Sequence, residues 1–279
     1  MDLIEALELE TVGEHRYRAG NTASAGGVVF GGQILAQSIV AAARTMPDKD
    51  VKSIHMLFAR GASADETLDI DVEPMHDGRA FGSATVTIRQ GERLCTRALV
   101  LLHRPDADLI RHAPMAPEVG DPMLAPQSAV EGSSWEVRVV GGVDISDPDA
   151  VGPAELNVWS RFAGGPHDPV TSQAMLGYAS DGFLIGTAMR PHAGVGQALA
   201  HRSISTSVVS HTLTFHETFD AGRWLLLAQE SPYAGRGRSY GRAQVFDEDG
   251  RLVASFVQEN MVRDQPAGRA ADGTTVTKY

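Results

Sequence analysis

Two polar residues in the second half of the chain stand among apolar neighbours, where a buried side chain must be hydrogen-bonded. Asp181 lies between Tyr-Ala-Ser and Gly-Phe-Leu-Ile, and Gln258 follows Phe256 and Val257 in a strand-like run. A carboxylate withdrawn from bulk water is a candidate general base for activating a water molecule. A buried amide can orient that water and donate to a carbonyl oxygen. The two side chains are therefore the candidate catalytic pair.

The residues by themselves leave structural alternatives open at both positions. Ser180 and Asp181 could cap a helix that begins at Gly182, because short polar side chains are favoured at helix starts. Gln258 could face solvent on an edge strand. Gly182 is also a candidate substrate-binding residue, since its backbone N–H and those of its neighbours could stabilise a developing oxyanion.

Other motifs point to chemistry that the surrounding sequence does not support. The run from Gly237 to Gly241 matches the G-x-S-x-G nucleophile elbow, but that motif needs a helix after the serine and a later histidine. Strand-like residues follow instead, and no histidine occurs after His216. We therefore interpret this match as accidental. Cys95 has no base signal nearby and is interpreted as a core thiol.

Histidines and arginines give two further clusters. No close acidic or cysteine ligand completes a metal site with His201, His211 and His216. We interpret His211 and His216 as structural strand residues, and we expect no metal. Arg236 and Arg238 belong to the one basic cluster of the second half, and guanidinium groups match phosphate geometry. They are candidate substrate-binding residues, and a solvated hairpin is the alternative.

The scaffold for these residues is predicted to be helix packed on antiparallel strands. Between Gly31 and Met46 apolar residues recur at helical spacing and small residues cover the other side, which predicts a buried helix. Residues 68–102 alternate between apolar and polar side chains, as strands do, with turns at 76–78 and 90–91.

The second half repeats this plan after a proline-rich linker at 104–132. A helix is predicted at 172–189. Strands are predicted at 135–143, 208–219, 223–230, 240–246 and 252–262. Short matches between the halves at an offset of about 156 residues indicate a duplicated unit. Each unit is predicted as an α+β layer pair, and we expect the two sheets to join edge to edge, which hides two sheet edges.

Composition narrows the classes of function. The 24 basic and 35 acidic residues give a formal net charge of −11, which argues against general nucleic-acid binding. The single cysteine excludes an internal disulfide and fits a cytoplasmic location. The uncharged stretch 21–43 is too polar to span a bilayer, and the acidic start is unlike a secretory signal. We expect neither nucleic acid nor membrane as a partner.

Ordered runs in both halves resemble the acyl-CoA thioesterase II (TesB-like) family. In the first half these are Val29-Phe30-Gly31-Gly32-Gln33 and Asp77-Gly78-Arg79-Ala80-Phe81. In the second half these are Tyr178-Ala179-Ser180-Asp181, His211-Thr212-Leu213-Thr214-Phe215-His216, Trp224-Leu225-Leu226 with Gln229-Glu230-Ser231, and Val253-Ala254-Ser255-Phe256-Val257-Gln258-Glu259. The resemblance covers nearly the whole chain, except for the linker and the tail after about Arg263.

The resemblance implies a tandem double hotdog, in which two antiparallel sheets each wrap round one long helix. It implies hydrolysis of acyl-CoA to free acid and CoA without a metal, a cofactor or a covalent intermediate. The water would be held by Asp181, by Gln258 and by a Ser or Thr on the strand between them. Val208 stands at that hydroxyl position. Ser210, two residues on and therefore expected on the same strand face, or Ser207 would have to substitute.

The resemblance also separates this chain from hotdog hydratases, which carry a histidine five residues after the aspartate, because that position is Gly186 here. We expect an acyl-CoA thioesterase whose Arg236 and Arg238 contact the CoA phosphates, and whose subunits pair into a homo-oligomer. The alternative is a catalytically weak or inactive acyl-CoA or acyl-carrier binding protein, because Val208 cannot hydrogen-bond.

The expected domains are 1–103 and 133–263, with the linker at 104–132 and a polar tail at 264–279. The first helix would be a structural twin without chemistry, because no carboxylate lies between Gly31 and Met46.

Overall fold

The computed structural model describes residues 2–22, 27–128 and 134–265, which form one large antiparallel sheet of 13 strands with four helices. The strands are β1 (Glu10–Gly13), β2 (Arg16–Ala19), β3 (Asp50–Phe58), β4 (Leu68–Asp77), β5 (Phe81–Gln90), β6 (Arg93–His103), β7 (Gln127–Ser128), β8 (Trp135–Val139), β9 (Glu155–Phe162), β10 (Ile204–Phe215), β11 (Leu225–Gly235), β12 (Arg238–Asp247) and β13 (Leu252–Asp264). The helices are α1 (Leu3–Leu7), α2 (Gly31–Thr45), α3 (Pro169–Ser180) and α4 (Leu184–Met189). The end of the expected linker and nearly all of the expected tail lie outside the described residues.

The sheet order shows the duplication that the sequence matches indicate. The strands follow one another as β1-β2-β4-β5-β6-β3-β10-β13-β12-β11-β9-β8-β7. The order β2-β4-β5-β6-β3 in the first half recurs as β9-β11-β12-β13-β10 in the second. The halves meet where β3 pairs with β10, from Ser53 opposite Thr214 to Leu57 opposite Ser210. The two sheets therefore join edge to edge, as expected.

Helix α2 forms where it is predicted and lies in the centre of the molecule. Leu35 and Ile39 are completely buried in its apolar stripe. Its small residues let α3 pack closely, and a Cβ at Gly177 of α3 would lie 2.9 Å from Ile39 Cδ1. No helix of the described residues is long and apolar enough to cross a membrane.

The prediction of one continuous helix at 172–189 is wrong, because the chain forms two helices there, α3 and α4, with a break after Ser180. Asp168 begins α3 by accepting hydrogen bonds from the N–H groups of Val170 and Thr171. The helix ends at Ser180, and Asp181 is its C-terminal cap, so Asp181 does not cap the start of a helix at Gly182.

Several strands were not predicted, most notably β3 and β9. In β9, Trp159 is buried on the face of the sheet opposite α3, where it packs with Trp224 of the segment before β11. Ala116 and Val119 of the linker cover this second cluster. Both faces of β9 are therefore covered, which obscures the alternation of apolar and polar side chains that a half-buried strand shows.

We expect the β3–β10 junction to be a main source of stability. Ile54 of β3 is fully buried opposite Leu213 of β10, whereas Leu57 of the same strand is 53% exposed on the other face. Ile54→Ala should lower the free energy of unfolding by about 2–5 kcal/mol, because it removes buried methyl groups and leaves a cavity. Leu57→Ala, the matched control, should lower it by less than about 0.5 kcal/mol. Urea denaturation measures both, and equal losses would contradict this account.

Candidate active site

Asp181 lies where the end of α3 meets the start of α2. Its side chain is 4% exposed. A Cβ at Gly31 would lie 2.6 Å from Asp181 Oδ2, and one at Gly32 would collide with the Tyr178 carbonyl oxygen and lie 3.1 Å from Asp181 Cβ. The Gly31-Gly32 pair is therefore what allows the backbone of α2 to approach the carboxylate.

Among the described residues, no side chain caps the start of α2, which faces this carboxylate. The N-terminal cap residue Phe30 makes no side-chain capping hydrogen bond, and the first turn has no acidic residue. The N–H groups of Gly31 and Gly32 have no acceptor within the helix, and they form the positive end of its dipole. The carboxylate Oδ2 thus faces a partial positive charge.

The two halves differ at the corresponding ends of their helices. The start of α3 is closed by the carboxylate of Asp168, which occupies the N–H groups of Val170 and Thr171. A small cavity of about 120 Å³ lies at that end, between α3 and β3, and it contains neither Asp181 nor Gln258. Only the start of α2 combines open donors with a facing carboxylate among the described residues.

Gln258 of β13 binds the other oxygen of the carboxylate. It is 1% exposed, and its Nε2 donates to Asp181 Oδ1 at 2.9 Å. The same nitrogen lies 3.0 Å from His211 Nδ1 and 3.3 Å from the Ser180 carbonyl oxygen. Its Oε1 is buried and has no hydrogen-bond partner among the described residues. This oxygen is therefore available to accept a hydrogen bond from a bound molecule.

His211 of β10 completes a buried polar cluster with Asp181, Gln258 and Ser180. It is completely buried, and its Nε2 lies 3.1 Å from Ser180 Oγ. Its Nδ1 lies 3.4 Å from Asp181 Oδ1. The sequence interpretation of His211 as a structural strand residue therefore missed its contact with the candidate catalytic pair.

A β-bulge decides which face of β10 reaches this cluster. Val208 pairs with Asn260, but His211 pairs with Gln258, so one extra residue lies between them on β10. Residues that pair across antiparallel strands share a face. Val208 and His211 therefore both lie on the face of Gln258, and Val208 brings no hydrogen-bonding group to it.

The expectation that Ser210 shares a face with Val208 is wrong. Ser210 pairs with Glu259, and Ser207 pairs with Met261. Both partners alternate with Gln258 along β13, so both serines point to the opposite face of the sheet. For Ser210 the bulge is the physical reason, because it shifts the alternation by one residue. Ser207 is the neighbour of Val208 and faces the other way by ordinary alternation. Neither serine replaces the hydroxyl missing at Val208.

Aromatic side chains line one side of the site. Tyr178 of α3 lies edge-on to Phe30 and to Trp135, with ring centroids 5.0 and 5.4 Å apart. Trp135 also contacts Phe183, 5.9 Å away between centroids. Burial raises the pKa of the Tyr178 phenol above its ordinary value. The cluster forms an apolar wall next to the carboxylate.

Comparison with known families identifies the chain. Residues 19–103 match the family model of the acyl-CoA thioesterase N-terminal domain, and residues 110–262 match that of the C-terminal domain. The chain belongs to the acyl-CoA thioesterase family. This confirms the resemblance and the expected class of enzyme, a thioester hydrolase.

Relatives of this thioesterase align over almost their whole length. Acyl-CoA thioesterase 2 of Haemophilus influenzae is 28% identical over 94% of this chain and 97% of its own. A solved acyl-CoA thioesterase II of Mycobacterium marinum has a TM-score of 0.81 and 29% identity, over 95% of this chain and 99% of its own. A hot dog protein of Alicyclobacillus acidocaldarius has a TM-score of 0.75 at 19% identity, over 94% and 97% of the two chains. The expected tandem double hotdog is confirmed.

Of the other predicted site residues of the thioesterase, none touches the carboxylate through its own side chain. The N–H of Gly182 donates to the Ala179 carbonyl oxygen at 3.3 Å and closes the last turn of α3, so it is not a free oxyanion donor. Arg236 and Arg238 are exposed at the turn between β11 and β12. Their role as phosphate ligands stays a prediction.

The serine of the G-x-S-x-G match lies in a strand, as the sequence analysis expects, whereas His216, interpreted as a strand residue, lies just after the end of β10. Ser239, the serine of the G-x-S-x-G match, is buried on β12 opposite Asn260 and is followed by strand, not helix. His216 lies near Ser255, 2.9 Å from its hydroxyl. Among residues 2–22, 27–128 and 134–265, no three His, Cys, Asp or Glu side chains are grouped to hold a metal ion.

Cys95 should be unreactive in the folded thioesterase. It is a buried free cysteine, and burial raises the pKa of its thiol above the ordinary value, which disfavours the reactive thiolate. We expect a colorimetric disulfide reagent at about pH 8 to modify less than about 0.1 equivalent of native protein within minutes. Unfolding in guanidinium chloride should expose one equivalent. Rapid modification of the native protein would contradict the burial of this thiol.

Proposed function

We propose that this thioesterase hydrolyses acyl-CoA to the free acid and CoA by direct attack of a water molecule. The observation that carries the proposal is the placement of Asp181, with one oxygen bonded to Gln258 and the other facing the open start of α2. The names of the relatives from Haemophilus influenzae and Mycobacterium marinum support acyl-CoA as the substrate.

The proposed water lies between the two polar side chains. It donates one hydrogen bond to Asp181 Oδ2 and the other to the Oε1 of Gln258, the buried acceptor without a described partner. Gln258 therefore orients the water, and it does not donate to the thioester as the sequence analysis expects, because its N–H groups face Asp181 and His211.

The carbonyl oxygen of the thioester is assigned to the start of α2. The N–H groups of Gly31 and Gly32 have no acceptor in their own helix, and they lie at the helix end that faces Asp181. They stabilise the negative charge that develops on this oxygen as the water attacks. This role replaces the one expected for Gly182, whose N–H is already used.

The proposed reaction needs two steps and one shuttled proton. The water oxygen bonds to the thioester carbon while Asp181 takes a proton from the water. The tetrahedral intermediate then re-forms its carbonyl group, the carbon–sulfur bond breaks, and the protonated Asp181 returns the proton to the departing sulfur. The products are a carboxylic acid and the free thiol of CoA, and the carboxylate of Asp181 is regenerated.

The proposed substrate contacts extend in two directions from the thioester group, one for the acyl chain and one for CoA. The wall of Phe30, Tyr178 and Trp135 offers apolar surface for the acyl chain. Arg238 pairs with Met261, three residues along β13 from Gln258, which is about 10 Å by strand geometry. The turn with Arg236 and Arg238 is thus the proposed contact for the CoA phosphates.

The proposed setting is cytoplasmic, and the proposed assembly is a homo-oligomer.

A second candidate function is binding of acyl-CoA without turnover. Val208 favours it, because the face of β10 at the site carries an apolar side chain where the family has a hydroxyl. A panel of acyl-CoA substrates with a thiol reagent separates the two. Release of CoA supports hydrolysis, whereas tight binding without release selects the binding protein.

We expect Asp181→Asn to lower kcat at least about a hundredfold, because an amide cannot accept the proton of the water. The matched control is Asp168→Asn, at the other end of the same helix, where the carboxylate caps the helix through Val170 and Thr171. It should leave kcat within about twofold and lower stability by less than about 1 kcal/mol, because asparagine caps a helix about as well as aspartate and only the negative charge at the helix start is lost. Thiol release under saturating substrate measures kcat. Unchanged turnover in Asp181→Asn would contradict the assignment of Asp181 as the general base.

We expect Gly31→Ala to lower kcat at least about tenfold. The added methyl group would lie 2.6 Å from Asp181 Oδ2, where it displaces the carboxylate and fills the space of the thioester. Relief of this close contact moves the carboxylate or the start of α2, so thermal unfolding is measured beside kcat to separate loss of activity from loss of stability. The control is Gly13→Ala, whose Cβ would meet nothing closer than 3.5 Å. Equal kcat in both variants would contradict the proposed substrate position.

A further inference from the structure

His211 and Ser180 are the members of the buried cluster that the proposed reaction leaves without a task. The His211 ring lies 5.6 Å from that of Phe256 between centroids, and it has no exposed surface. A buried imidazole must satisfy two ring nitrogens, and the choice of tautomer depends on the partners of each. For His211, the partners determine which ring nitrogen carries the proton and which one accepts a hydrogen bond.

Ser180 determines the protonated nitrogen of His211. The Ser180 hydroxyl donates its only proton to the Gly177 carbonyl oxygen at 2.9 Å. Its oxygen therefore accepts from the imidazole, and Nε2, 3.1 Å away, carries the proton. In the neutral ring, Nδ1 is then an acceptor.

That acceptor contributes to the orientation of Gln258. The amide nitrogen of Gln258 has two protons, and they point to Asp181 Oδ1 at 2.9 Å and to His211 Nδ1 at 3.0 Å. A flipped amide would place Oε1 against three acceptors, which are Asp181 Oδ1, His211 Nδ1 and the Ser180 carbonyl oxygen. The amide oxygen therefore points away from all three and remains the buried acceptor that the proposed water needs.

We propose that His211 is a positioning residue for hydrolysis, which acts as a neutral acceptor that locks the amide of Gln258 with Oε1 toward the water. The inference rests on the proposed function of Asp181 and Gln258. Val208 supports this inference, because a site without a third hydrogen-bonding side chain depends more on the orientation of Asp181 and Gln258. His211 touches neither water nor substrate and acts through Gln258.

The test compares three replacements of His211 that differ in where they place a polar atom. The Oδ1 of His211→Asn can stand where Nδ1 stands, since both atoms are bonded to Cγ. In His211→Gln the polar atoms lie one bond further out, toward Ser180, and His211→Leu has none. The control is His216→Asn. His216 lies just after the same strand, and its imidazole ring contacts the Ser255 hydroxyl, away from the cluster.

We expect kcat to fall less than about tenfold in His211→Asn and about a hundredfold in His211→Gln and His211→Leu, as for a misplaced reacting group. KM should change less than about threefold in all, because His211 does not contact the substrate. His216→Asn should keep the parental kcat. Thermal unfolding of each variant shows whether the kcat order merely follows stability.

Ser180→Ala tests the same chain of contacts with a smaller change to the core. It removes the acceptor that holds the proton on Nε2, so kcat should fall about tenfold at unchanged KM. This variant keeps the test decisive if the His211 replacements do not fold.

Two outcomes would overturn the role of His211 and leave the proposed hydrolysis intact, provided that Asp181→Asn is inactive. The first is an equal kcat in His211→Asn and His211→Gln. The second is a parental kcat in His211→Leu. A parental enzyme that releases no thiol from any acyl-CoA overturns the proposed function instead, so the two failures are distinguishable.

Discussion

The burial of one negative charge is the constraint on which the rest of the site depends. The carboxylate of Asp181 is almost entirely withdrawn from water, and such a group persists only if donors replace the lost solvent. Gln258 supplies one donor, and the open start of α2 supplies a favourable field. Close approach of that helix end requires Gly31 and Gly32, because a side chain there would collide with α3.

This constraint makes the two halves of the chain a single working unit. The first half contributes the helix end, and the second contributes the carboxylate, the amide and the imidazole. The pairing of β3 with β10 and the packing of α2 on α3 hold the contributions in register. The duplicated scaffold would allow two such sites, but Asp168 closes the start of α3 and no carboxylate lies along α2. The asymmetry thus arises from capping and not from the fold.

Much of the fold was predictable because local patterns act over short distances. Helix α2 has a continuous apolar and small-residue surface, and its bounds follow from that pattern. The hairpins of β5 with β6 and of β12 with β13 follow from alternation and turn residues. Strand β9 was missed because both its faces are covered. The break after Ser180 was missed because apolar residues continue through it.

The sequence by itself determined the duplicated α+β plan, the family and the two polar residues that stand out in apolar surroundings. Only the tertiary structure decided that Asp181 and Gln258 touch, since 77 residues separate them. It also placed His211 beside them and turned Ser210 away, because one extra residue in β10 shifts which side chains share a face. A bulge is a property of the pairing between strands, and no pattern along a single strand contains it.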